Sequence, residues 1–160
     1  MKYVGYGIFL GCCLTALIYI GYGFMPSMDT KAVRPYIYLS LVLYFYLLGF
    51  YVGNKHSSFG SGIKAGFVTG LVSILIVTIA TMLAHNIFFI NETIGDPDTM
   101  ASFKQSGLLS IRRHIIYSDI RLGIAALVAG PIFTAFCAAG GSFAASKLKH
   151  HTSNTVTAAH

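Results

Sequence analysis

Charge is scarce in this chain, and it is confined. Asp, Glu, Lys and Arg make up 10% of the 160 residues, against roughly 25% in soluble chains. None falls in Tyr3–Met28, Pro35–Asn54, Ala65–Asn91 or Leu122–Ser146, four stretches of 20 to 27 residues. A hydrocarbon core of roughly 30 Å takes about 20 apolar helical residues to cross. Each stretch therefore has the length of a transmembrane helix, and the mean hydropathy of +0.69 agrees. With four spans in so short a chain, no room is left for a second folded domain.

Other absences exclude whole classes of chemistry. The three cysteines, Cys12, Cys13 and Cys137, all lie inside proposed spans and form no Cys-x-x-Cys pair, so neither a disulfide framework nor a cysteine metal site is indicated. No phosphate loop and no Ser-His-Asp spacing is present. Gly5-Tyr6-Gly7 opens like a dinucleotide fingerprint, but Leu10 stands where the third glycine belongs and no strand precedes it. A haem bundle needs axial histidines from facing helices, and only His85 sits within a span. His150-His151 and His160 lack the supporting pattern of a built metal site. No catalytic residue, cofactor or metal is therefore expected. No carboxylate falls within a span away from its ends, where proton-coupled transport generally needs one. In this the chain departs from the small multidrug exporters, whose mechanism rests on a membrane-embedded glutamate. The net charge of +6 comes from basic residues scattered at span ends, where they meet lipid headgroups; nucleic acid is not an expected partner.

What is present predicts an all-α protein, an integral membrane four-helix bundle. Its transmembrane helices lie at about 3–24, 35–53, 63–90 and 122–146, followed by a polar, disordered tail at 147–160. The first apolar stretch is longer than the roughly 7–15 residues of a signal-peptide core, so an uncleaved first span is expected. Pro26, Ser27 and Asp29 break it. Pro35 is placed to open the second span, where its missing N–H goes unused. Gly95-Asp96-Pro97-Asp98 reads as a turn. Beyond it Leu108, Ile111, Ile115 and Ile116 share helical spacing opposite Arg112, Arg113 and Asp119. That is an amphipathic helix, either lying in the membrane interface or extending into the fourth span. Gly130-Pro131 predicts a kink in that span.

Small residues recur at every fourth position: Gly7 and Gly11 in span one, Gly49 and Gly53 in span two, Gly62, Gly66 and Gly70 in span three. In span four the stripe runs Ala126, Gly130, Thr134, Ala138, Ser142. A second small face there carries Ala129, Cys137, Gly141 and Ala145. Residues four apart share a helix face, and small side chains let backbones approach where lipid supplies no hydrophobic drive. The stripes assemble one bundle, or they dock a partner; a helix with two small faces can do both.

The polar cluster nominated by the sequence is His85 with Asn86 and Glu92, facing Arg112, Arg113 and His114. Arginine pairs well with phosphate, so His85, Arg112, Arg113 and His114 are candidate ligands for an anion or headgroup. An even number of spans puts both termini on one side, together with Lys2, Lys55, Lys64, Lys147 and Lys149. Weighting short loops and termini makes that side cytoplasmic. In architecture the layout resembles small four-span bacterial membrane proteins, which points to a bacterial inner membrane. The first functional expectation is a non-enzymatic accessory or assembly subunit acting through helix–helix contacts, with the bilayer and a homo-oligomer or membrane-protein partner. A small oligomeric transport or permeation protein is the alternative, and a lipid-binding protein using the Arg112–His114 region the third.

Overall fold

A computed structural model describes residues 2–24, 30–56 and 58–157. The elements in them are all helical: α1 (Lys2–Phe24), α2 (Thr30–His56), α3 (Phe59–Leu83), a π-helical turn at Ala84–Phe88, α4 (Ile90–Gly95), α5 (Pro97–Ser106) and α6 (Ile111–Thr157). Four helices, in Lys2–Ile20, Pro35–His56, Phe59–Phe88 and Ile111–Lys149, are long and apolar enough to cross a membrane.

Helices α3 and α6 run antiparallel as the central pair, and their register is a ladder. Gly62 stands against Ser142, Gly66 against Ala138, Gly70 against Thr134 and Gly130 against Ile74. Each rung moves four residues up α3 and four down α6, so both helices present one face throughout. The approach is close: a Cβ on Gly66 would lie 2.5 Å from the Ala138 Cβ and 2.6 Å from the Thr134 carbonyl oxygen. The Thr134 hydroxyl sits 3.0 Å from the Gly66 carbonyl across the interface and 3.0 Å from the Pro131 carbonyl of its own helix.

The other two helices flank this pair. Helix α2 runs parallel to α6, with Gly49 against Ala138, Gly53 against Ser142, and Gly141 against the Tyr46 carbonyl. The Ser142 hydroxyl donates to the Gly49 carbonyl at 2.9 Å. Helix α1 runs parallel to α3, with Gly7 against Val72 and Gly11 against Ile76, and the Thr69 hydroxyl donates to the Tyr3 carbonyl at 3.2 Å. Helix α2 also touches α3, whereas α1 and α2 scarcely touch each other.

Burial follows residue size in an unusual sense. Ala65, Ala138, Ala145, Thr69, Ser73, Thr134 and Ser142 are buried, with Phe45 the largest buried side chain among the described residues. Large apolar side chains point outward, with Phe9 68% exposed, Tyr36 72% and Phe136 73%.

Several elements differ from expectation. Helix α2 begins at Thr30, so Pro35 lies inside it instead of in its first turn, and the Lys31 carbonyl loses its i+4 donor. The α-helical part of span three ends at Leu83. The amphipathic segment from Ile111 is the opening of α6: it extends the fourth span, with Ile115 and Asp119 buried and Arg112 and Arg113 exposed. Gly95-Asp96-Pro97-Asp98 is a helix start as well as a turn. Asp96 caps α5, accepting from the Thr99 N–H at 2.8 Å, Pro97 takes the first helical position, and Gly107 ends it with φ 68°. At the other end α6 continues through Lys147 to Thr157, where the polar composition predicts disorder; no glycine or proline follows Gly141 to stop it.

Candidate functional site

The most developed polar arrangement lies at the end of the α3–α6 ladder. After Leu83 the helix widens into a π turn, closed by the Phe89 N–H donating to the Ala84 carbonyl at 2.8 Å. Such insertions of one residue re-aim side chains and recur at functional sites. In a regular α-helix consecutive residues diverge by about 100°. Here both His85 and Asn86 reach one carboxylate on α6. His85 Nδ1 is 2.9 Å from Asp119 Oδ1, and the Asn86 amide donates to Asp119 Oδ2 at 2.8 Å. The Asn86 amide also donates to the Met82 carbonyl at 2.9 Å, tying the pair to its own helix.

Asp119 is 8% exposed. A buried carboxylate costs several kcal/mol unless it is paired and hydrogen-bonded, and the two donors supply both needs. An unmet group lies beside it: Asn86 Oδ1 is buried without a hydrogen-bond partner. Next to the cluster is a pocket of about 200 Å³ whose walls include Thr78, Thr81, Met82, His85, Asp119 and Ala126. The far end of α1 packs against this region, with the Tyr19 ring edge-on to Phe88 at 5.8 Å and Phe89 at 5.7 Å.

The four nominated anion ligands do not converge. His85 turns to Asp119. Arg112 reaches the Asn86 carbonyl at 3.5 Å, and Arg113 is exposed. His114 pairs with the Ser102 hydroxyl at 2.9 Å and packs on the Phe103 ring of α5. Glu92 is also exposed, on α4. The residue missed by sequence reasoning is Asp119, placed there on the polar face of an amphipathic loop helix. A usable signal existed: Asp119 precedes Ala126 by seven residues, two turns on the same face as the small-residue stripe.

The packing residues fare differently. Gly7, Gly11, Gly62, Gly66, Gly70, Gly130, Thr134 and Ala138 all stand at helix–helix contacts. Ala126 does not: it is exposed and borders the pocket beside Asp119. On the second face of α6 Gly141 and Ala145 are buried, while Ala129 is exposed.

Chemically, the cluster can hold a proton shared between carboxylate and imidazole, or a cationic group entering from the pocket. Among the described residues no group of three or more His, Cys, Asp or Glu side chains could hold a metal ion. Comparison with family models, with curated proteins and with solved structures found no match.

Proposed function

We propose that this chain is a multi-pass integral membrane protein of the cell membrane. It crosses the bilayer four times as a four-helix bundle and serves as an accessory or assembly subunit, contributing helix surfaces in place of reaction chemistry. The supporting observation is the inverted distribution of side-chain size. Gly, Ala, Ser and Thr fill the helix contacts while Phe, Tyr, Leu and Ile point outward. Water would penalise that surface, whereas lipid solvates it and rewards close backbone packing.

What supports the accessory role is a stretch of exposed helix. The residues from Pro35 to Ser40 on α2 are exposed without exception. They span more than one full turn at 3.6 residues per turn, so among the described residues none buries any side of α2 there. Tyr36 and Tyr38 in that turn carry hydroxyls suited to a partner helix. A photo-reactive residue at Leu39 should yield a discrete protein adduct in native membranes, and one at Phe136 should yield lipid adducts alone. Lipid adducts at both positions would remove the assembly role.

Asp119 supports a second reading, a small proton-coupled transport protein, because its pairing with His85 supplies the carboxylate that such transport requires. Flux in liposomes holding this protein alone, abolished in Asp119→Asn, would favour this reading over the first.

A further inference from the structure

The opposite end of the molecule carries a different feature. Helices α1 and α2 scarcely touch, and between Lys2–Tyr6 and Tyr51–His56 their separation opens a cavity of about 380 Å³. Its walls carry Lys2, Tyr3, Tyr6, Tyr51, Lys55 and His56, and no acidic residue is among its lining. The Lys55 ammonium stands 5.9 Å from the centre of the Tyr51 ring, and both residues are exposed. Deeper along the seam Val52 is buried, and Tyr44 of α2 lies near Tyr6 and Cys13 of α1. The lining is thus cationic and hydroxyl-bearing at the mouth and apolar below.

We infer that this seam binds an anionic phospholipid, with its phosphate at Lys2 and Lys55 and an acyl chain lying between α1 and α2. Charge complementarity selects the headgroup: two ammonium groups and the tyrosine hydroxyls supply donors, and nothing in the lining repels an anion. The apolar floor selects a lipid over a free anion, since a soluble phosphate would leave that surface unused. Lys64, Lys147 and Lys149 are exposed on α3 and α6 and add a general attraction to anionic headgroups, but they stand outside the cavity lining. That separation makes the inference testable. It also rests on the membrane-spanning reading.

The test is native mass spectrometry of the full chain released from nanodiscs of equal phosphatidylglycerol and phosphatidylcholine. Wild type should retain phosphatidylglycerol selectively. A juxtamembrane lysine contributes roughly fivefold to anionic-lipid binding, so Lys2→Gln with Lys55→Gln should lower retention by about 25-fold. Lys64→Gln with Lys147→Gln, which removes the same charge from the same end, should lower it clearly less, through the general attraction alone. Equal losses in the two double variants, equal retention of the two lipids, or displacement by millimolar inorganic phosphate would each overturn the site. A protein that stays monodisperse in buffer without detergent would instead overturn the membrane reading beneath it, and circular dichroism of each variant reports whether the helices persist.

Discussion

A carboxylate with both oxygens engaged, one by His85 and one by Asn86, is held in place as much by desolvation as by attraction. Removing a donor leaves the charge buried and under-satisfied, at a penalty of about 1–3 kcal/mol. His85→Ala should therefore destabilise the protein by that amount, read as a lowered midpoint of thermal unfolding in detergent. Asp119→Asn keeps the volume and one acceptor, so its loss should be smaller than that of His85→Ala. The reverse order would mean that the carboxylate is not what the two donors serve. The meeting of His85 and Asn86 on one carboxylate was not readable from spacing, because a π turn shifts both relative to α-helical phase. The sequence pattern assigned Asp119 to a solvent-facing stripe, and only its contact partner makes it an interior residue.

Helices here are specified by what their contact faces lack. The four-residue spacing of glycine and hydroxyl residues was legible along the chain, and Gly62, Gly66 and Gly70 of α3 stand opposite Ser142, Ala138 and Thr134 of α6. The spacing did not say which helix would face which. Gly66→Leu should disrupt folding because its side chain would meet Ala138 and the Thr134 backbone, whereas Val68→Leu, on a half-buried position, should be tolerated. Overpacking of a closed contact costs about 1–3 kcal/mol even for modest added volume. Gly5 gives an internal control: a Cβ there meets nothing within 4 Å, so Gly5→Ala should be neutral or stabilising by up to about 1 kcal/mol through helix propensity. Unfolding in increasing dodecyl sulfate, followed by helical circular dichroism, separates these outcomes. The α5 helix was illegible for a different reason. Asp96-Pro97 is a turn signal and a helix-start signal alike, and only the left-handed Gly107 at its far end distinguishes a short helix from a loop.

Across the molecule, acidic charge is segregated by the direction of the helices, while basic residues stand at both ends. Lys2, Lys55 and Lys64 lie at the end where α1 and α3 begin and α2 finishes, and Lys147 and Lys149 share that end of α6. Glu92, Asp96 and Asp98 lie at the other, on α4, the α4–α5 turn and α5. If the four helices span a bilayer, these two ends face opposite compartments. In a background with Cys12, Cys13 and Cys137 replaced by alanine, cysteines introduced at Ser106 and Lys149 should label with an impermeant maleimide from opposite faces of sealed vesicles. Labelling of both from one face would dismiss the four-span arrangement.

Composition and the placement of sixteen charges were enough to set the helical class and the number of long apolar segments. Those properties depend on hydropathy and on a 3.6-residue period, both local to the chain. The pairing of α3 with α6, the gap between α1 and α2, and the meeting of Asp119 with His85 depend on which surfaces approach within a few ångströms. Small-residue stripes are interchangeable as sequence, and only the packed helices choose among them.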